Sequence, residues 1–234
     1  MTGRLIGVGV GPGDPELMTL KAARVIGEAD VVAYPIANGK SSRARETAAT
    51  ALSATVREIG FDLPMCEARE PAQKAYDAAT MQLSEALANG KTVAVLCEGD
   101  PLFYGSFMYL AARLTAQAEI EVVPGITSVS AAAAVLRQPI AARTETTAIL
   151  SATVETATLE RALTDHASVA ILKVGRHLAR VRDVIAKQGL LEFASLVANA
   201  SHPDESYCKL SAAPDTAPYF SLILVTKGRD PWLS

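Results

Sequence analysis

The three cysteines, Cys66, Cys97 and Cys208, are odd in number, scattered, and form no CxxC pair. That excludes a disulfide-stapled scaffold and predicts reduced thiols in a cytoplasmic protein. His166, His177 and His202 show no ligand spacing, so no metal site is expected. Positive charge is not in surplus: 22 Lys and Arg against 25 Asp and Glu leave a net charge of −3. A nucleic-acid partner calls for a basic surface or stripe, and the chain offers none. No apolar run approaches the roughly 18–20 residues that span a bilayer. Met1 to Val10 lacks the long apolar region and cleavage site of a secretory signal. Internal repeats, low-complexity tracts and heptads are missing too. A soluble protein is expected, with neither nucleic acid nor membrane as partner.

What is present is apolar residues, 50% of the 234, enough for a sizeable core. They are arranged as alternating strands and helices. Strands are predicted at Arg4–Val10, Asp30–Tyr34, Val56–Phe61, Val93–Cys97 and Ile120–Val123. Helices are predicted at Pro15–Glu28, with Leu17, Leu20, Ala23 and Val25 inward, from Ser41 or Ser42 to Ala51, at Tyr76–Ala88 and at Thr127–Leu136. Another apolar segment has helical spacing through Phe103, Phe107, Leu110 and Leu114. A long connection, Asp62–Pro71, carries Cys66, Glu67 and Arg69. This alternation argues for a parallel sheet with helices on both faces. After a linker at 141–145, strands at Thr147–Ser151, Ser168–Val174, Ala194–Ala198, Tyr207–Leu210 and Tyr219–Thr226 accompany helices at Leu159–Thr164 and Leu178–Gln188. The last two strands leave no room for a crossover helix and are expected to be antiparallel. The expectation is two α/β domains, residues 1–140 with a mostly parallel sheet and residues 141–234 with a mixed one.

Three strand ends in the first half run into Gly and Pro: Gly11-Pro12-Gly13-Asp14, Gly99-Asp100-Pro101 and Pro124-Gly125. In a parallel sheet such ends share one edge, where open α/β sheets bind ligands. The first loop invites a dinucleotide-fold reading, and its residues refuse it. The third glycine of GxGxxG would fall on Pro12 or Asp14, depending on where the count starts. Proline has no N–H to offer a pyrophosphate, and aspartate sets a negative charge where phosphate would sit. The loop suits close backbone approach to a ligand that is not a phosphate. Asp14 as N-cap with Pro15 at N1 is an equally compatible structural role.

Taken together, three blocks resemble the tetrapyrrole methyltransferase family. They are Val8-Gly9-Val10-Gly11-Pro12-Gly13-Asp14 with Leu17 and Thr19, then Gly99-Asp100-Pro101-Leu102-Phe103-Tyr104-Gly105, then Val123-Pro124-Gly125-Ile126-Thr127-Ser128. The resemblance covers the whole chain. It implies two α/β domains, S-adenosylmethionine held in the cleft between them, a corrin or sirohaem precursor as substrate, and a homodimer. Carried over residue by residue, it implies cofactor contacts at Pro12, Gly99, Asp100, Phe103, Tyr104, Ser106, Thr127 and Ser128. From the second domain it implies Val174, Ala200, Ser221 and Leu222.

Methyl transfer to carbon is an in-line displacement whose main demand is alignment. The attacked carbon must afterwards lose a proton, and Asp14, Glu98 and Tyr104 are the candidate catalytic residues. Asp14 has a ready duty as helix cap and Asp100 as a loop-shaping and cofactor-amine partner. Glu98 has no such duty and is the carboxylate of most interest. The substrate class is rich in carboxylates, which arginine forks suit. Arg43, Arg45 and Arg143 are the candidate substrate-binding residues; Lys40 lies beside the first two, Arg69 sits in the long connection, and Arg137 and Arg143 flank the domain junction. Other readings stay open: a different ring position or a cobalt-containing substrate, a family branch acting on protein or RNA, and a catalytically silent cofactor-binding subunit.

Overall fold

The computed structural model describes residues 2–37, 39, 41–64 and 69–228, the side chains of Ala37 and Arg69 excepted. Lys40, Cys66, Glu67 and the Arg69 side chain therefore lie outside the described residues. The chain forms two compact units, Met1–Thr127 and Ser128–Ser234. The expected boundary at 140/141 differs from this division because helix Ser128–Leu136 packs on the last strand of the second unit.

In the first unit the strands are β1 (Gly3–Gly9), β2 (Val31–Ala37), β3 (Arg57–Leu63), β4 (Thr92–Cys97) and β5 (Ala118–Val123). The helices are α1 (Leu20–Glu28), α2 (Arg43–Thr47), α3 (Arg69–Ala88) and α4 (Phe107–Leu114). All strand pairs are parallel, in the order β3-β2-β4-β1-β5. Strand side chains alternate between faces. Leu5, Val93, Val95 and Cys97 face α3 and α4, packing with Leu83, Leu87, Phe107 and Leu110. Ile6, Val8, Ala94 and Leu96 face α1 and α2, packing with Ala22, Ile26, Ala44 and Ala48. With both faces covered, the central strands read as continuous apolar runs.

Several helix boundaries moved from expectation for local reasons. Asp14 caps a separate 3-10 turn, Pro15–Leu17, and Thr19 Oγ1 then accepts from Ala22 N at 3.1 Å to start α1. The later start sets the helical phase: Ala22, Val25 and Ile26 turn inward, and Leu20, expected in the core, is 91% exposed. Helix α3 begins at Arg69, which absorbs the end of the expected long connection; Pro71 in its first turn needs no N–H partner. Phe103 precedes α4 rather than belonging to it.

The second unit contains α5 (Ser128–Leu136), β6 (Thr147–Ser151), α6 (Thr156–Asp165), β7 (Ser168–Leu172), α7 (Leu178–Lys187), β8 (Ala194–Ala198), β9 (Ser206–Lys209) and β10 (Ser221–Thr226). Its sheet runs β6-β7-β10-β8-β9. β6 and β7 are parallel, and the other pairs are antiparallel. The two late strands are not the antiparallel pair expected: β9 and β10 flank β8 on opposite sides, each antiparallel to it, and so run the same way, the link between them passing through the 3-10 turn Leu210–Ala212 rather than a helix. Two α/β units, one parallel and one mixed, are thus the observed architecture.

Candidate functional site

The order β4-β1-β5 puts the three glycine-bearing loops on adjacent strands. They touch. Gly11 and Gly99 form a two-way bridge, Gly11 N to Gly99 O at 3.3 Å and Gly99 N to Gly11 O at 2.8 Å. A Cβ on Gly125 would stand 2.1 Å from the Gly99 carbonyl oxygen and 2.9 Å from Gly9 Cα. A Cβ on Gly9 would stand 2.6 Å from Gly125 N. Deeper in the same strand face, a Cβ on Gly7 would meet the Phe107 ring at 2.5 Å. The alternating glycines of β1 therefore hollow one face of the strand, first for an aromatic ring and then for the neighbouring loop.

Asp100 locks this rim. One carboxylate oxygen accepts from Leu102 N at 2.9 Å, and the other accepts from Gly125 N at 3.0 Å. Its loop-shaping role is thus visible in two bonds, one within its own loop and one to the loop after β5. Beyond it Phe103 and Tyr104 meet edge to face, with ring centroids 5.3 Å apart. Tyr104 is exposed and has a left-handed backbone, φ 56°. Such a conformation in a non-glycine residue is strained and clusters at functional sites. Ser106 hydrogen-bonds the Tyr76 phenol. Thr127 lies close to the Gly99 backbone, its Cα 3.8 Å from where a Cβ on that residue would be. Pro12 follows Gly11 in the bridged loop, and Asp14 Oδ1 accepts from Glu16 N at 2.8 Å.

Glu98 has a structural duty that its sequence position hid. As the next residue in the alternating series Ala94, Leu96, it leaves β4 toward α2, and its carboxyl accepts from Ala44 N in the first turn of that helix. Burial pushes its pKa up to about 7; Arg43 and the Ala44 N–H pull it down, and Glu46 adds to the rise. Helix α2 is tied on other sides too. Ser42 Oγ accepts from Arg45 N at 3.4 Å, and Thr47 Oγ1 donates to Arg43 O at 2.9 Å and Gly13 O at 3.3 Å. Arg45 forks onto Glu58 of β3, at 2.9 and 3.0 Å. That bond, helped by Tyr34, holds the Glu58 carboxyl below its ordinary value. Of the three arginines singled out for substrate, Arg45 is thus engaged in an ion pair within the fold, Arg43 stands by Glu98, and Arg143 is an exposed residue of the second unit with φ 49°.

In the second unit, the ends of β7 and β8 and the start of β10 form a rim of their own. Val174 N donates to Ser221 O at 3.3 Å, and Asn199 N to Phe220 O at 2.8 Å. Val174, Ala200, Ser221 and Leu222 are all buried here. Lys173, Asn199 and Ser201 all have positive φ, at 58°, 52° and 64°. Burial lowers the pKa of Lys173. His202 Nδ1 bonds Asp204, whose second oxygen accepts from Asn199 Nδ2 at 2.8 Å. Tyr219 and Phe220, edge to face at 5.0 Å, border the rim and are partly exposed. Sequence reading passed over Lys173, Tyr219 and Phe220. The only signal for them was their place at strand ends. Among the described residues no cluster of His, Cys, Asp and Glu could hold a metal ion, and no helix is long and apolar enough to cross a membrane.

Residues 4–213 match the family model Tetrapyrrole (Corrin/Porphyrin) Methylases. The chain is 39% identical to a precorrin-2 C(20)-methyltransferase of Sinorhizobium sp, over 97% of both proteins. It is 31% identical to a cobalt-precorrin-2 C(20)-methyltransferase of Salmonella typhimurium, over 97% of this chain and 98% of that one. A cobalamin biosynthesis protein of Mycobacterium bovis is 41% identical, and this chain spans 46% of its length. In fold, the chain is similar to a cobalt precorrin-4 methyltransferase, with TM-score 0.74 and 23% identity over 97% and 96% of the two chains. It is also similar to a uroporphyrin-III C-methyl transferase from Thermus thermophilus complexed with S-adenyl homocysteine, with TM-score 0.70 and 23% identity over 95% and 97%.

Proposed function

The chain belongs to the tetrapyrrole (corrin/porphyrin) methylases, and from that premise we propose that it methylates C20 of precorrin-2, giving precorrin-3A in cobalamin biosynthesis. The observation that carries this reading is the 39% identity to a precorrin-2 enzyme, end to end in both chains. The 31% relative acts on the cobalt-containing counterpart, so the metal-free substrate is the finer part of the proposal. Product analysis decides it: incubation with S-adenosylmethionine and either metal-free or cobalt-loaded precorrin-2, followed by mass and NMR analysis of the product. The reading expects the metal-free substrate to turn over faster. A reversed preference would transfer the chain to the cobalt branch, and methylation at another carbon would refute the C20 assignment.

The residues present fit S-adenosylmethionine. When bound, it supplies a sulfonium-activated methyl group and carries no phosphate. The rim of the first unit suits such a ligand, because three strand-end loops pack backbone to backbone on adjacent strands of one sheet edge, where open α/β sheets bind ligands. The one nearby 3-10 turn start is already capped by Asp14, as a site with no phosphate to hold allows. Pro12, Gly99, Asp100, Phe103, Tyr104, Ser106, Thr127 and Ser128 are proposed as the contacts from the first three loops. Val174, Ala200, Ser221 and Leu222 are proposed from the rim of the second unit. Their shared task is alignment of donor and acceptor carbon, with water kept out.

Of the three candidate catalytic residues, Asp14 and Glu98 carry bonds that shape the fold. Tyr104 has an exposed ring on a strained backbone, and it is the one we assign to contact with the substrate. Arg43 and Arg143 are proposed for its carboxylates. A homodimer and a cytoplasmic location complete the proposal. Sedimentation at micromolar concentration tests the first, and free Cys97 and Cys208 are compatible with the second.

A further inference from the structure

The loop that carries Ala200 is built more heavily than its topology requires. β8 and β9 are antiparallel neighbours, and a two-residue turn can join such strands. Here Asn199 to Glu205 lie between them. Asn199 and Ser201, on either side of Ala200, have left-handed backbones at φ 52° and 64°. That conformation persists in non-glycine residues only where the surroundings impose it. Side chains of the same loop impose it here. Asp204 accepts from Asn199 Nδ2 on one carboxylate oxygen, at 2.8 Å, and from His202 Nδ1 on the other. Glu205 accepts from Ser201 N at 2.6 Å. The backbone closes the turn, His202 N onto Asn199 O at 2.9 Å and Glu205 N onto His202 O at 2.8 Å, and Asn199 N ties it to Phe220 O beside Ser221. The N–H groups of Asn199, Ser201, His202 and Glu205 are thereby taken within the chain. That of Ala200, a buried residue, has no bond among the described residues.

We propose that His202 and Asp204 are positioning residues for the cofactor: they clasp this loop so that the Ala200 N–H is held ready for an acceptor on the adenosine of S-adenosylmethionine. This inference rests on the cofactor reading above. An ionised carboxylate only accepts, so the bond fixes the His202 proton on Nδ1 and with it the ring. Such charge-assisted bonds are about twice as strong as neutral ones. The Asp204 side chain is 57% exposed, and an exposed pair adds little to global stability. The local equilibrium of a loop, in contrast, answers to each of its few bonds. A loop already in its binding shape does not have to be ordered by the ligand.

Calorimetric titration of the full chain with S-adenosylhomocysteine, paired with urea unfolding, tests this. His202→Ala removes the bond to Asp204. It should bind about tenfold more weakly, the change expected when the loop keeps its binding shape about a tenth of the time. His202→Asn puts an amide nitrogen where Nδ1 stood and should bind within about twofold of the native chain. Both should unfold within about 0.5 M of the native urea midpoint. His202→Gln fills the space of the ring with its amide nitrogen where Nε2 stood, and it serves if the Ala variant does not fold. Native affinity in His202→Ala, or in His202→Gln where the first does not fold, overturns the inference alone, as does an Asn variant as weak as the Ala one. A larger fall in the urea midpoint, or failure of both variants to fold, assigns the bonds to the fold and overturns the positioning role. Absence of binding to the native chain overturns the cofactor reading on which the inference rests.

Discussion

The free chain should lose stability as pH rises through the range in which Glu98 ionises. Burial lifts this carboxyl from an ordinary 4.5 to about 7 in the folded state. Between those values the folded chain holds a proton that the unfolded chain has released, so unfolding releases protons and stability falls as pH rises. Below about pH 4.5 both states are protonated and the effect is absent; above about 7 both are ionised and the loss is complete. At 1.36 kcal/mol per pKa unit, the full loss is at most about 3 kcal/mol. Glu98→Gln removes the ionisation and keeps an oxygen that can accept from Ala44 N. The variant should match the native chain within about 1 kcal/mol at pH 5, the worth of one ordinary hydrogen bond. At pH 8 it should be the more stable of the two by about 2 kcal/mol, after that bond is allowed for. Urea unfolding at half-unit steps from pH 5 to 8 reads this difference, and histidines common to both proteins cancel. Parallel curves for the two chains, or a Gln variant less stable at pH 8, would refute a buried, ionising Glu98.

Gly125→Ala places a methyl group against the Gly99 carbonyl and Gly9 Cα; it should cost about 1–3 kcal/mol in stability and lower S-adenosylhomocysteine affinity at least tenfold by calorimetry. Phe107→Ala empties the ring site over Gly7, where the side chain is fully buried, and should cost about 3–5 kcal/mol in denaturant unfolding. Arg45→Ala breaks a partly exposed ion pair and should change stability by less than about 1 kcal/mol and leave tetrapyrrole affinity within twofold; a large affinity loss would return Arg45 to the substrate site.

The strand-helix alternation was legible because both faces of the first sheet are covered, which leaves unmistakable apolar runs such as Val93–Cys97. The three loops were legible because glycine and proline punctuate strand ends, and parallel strands bring those ends to one edge. What stayed hidden was how the glycines are used. A count for GxGxxG asks about a ligand. The spacing Gly7, Gly9 places both residues on one strand face, and the structure fills that face with Phe107 and with the loop around Gly125. Helix starts were misjudged where a second cap competed. Asp14 and Thr19 both have the chemistry of an N-cap, and only packing decides that the first caps a 3-10 turn and the second caps α1. The pairing of Arg45 with Glu58 joins residues whose strand and helix meet only after folding, so no local pattern announces it.

Glu98 concentrates this lesson. In sequence it stands between a buried strand and a ligand-type loop, with no local partner, and so resembles a catalytic carboxylate. Strand alternation already placed it on the Ala94–Leu96 face, and whatever packs on that face had to meet it. That element is α2, whose first-turn N–H groups have no partner within the helix. A carboxylate there serves the fold. Arg43 is the charged group that lowers its pKa, against the larger rise from burial. A variant that keeps shape and removes charge separates that influence from the scaffold.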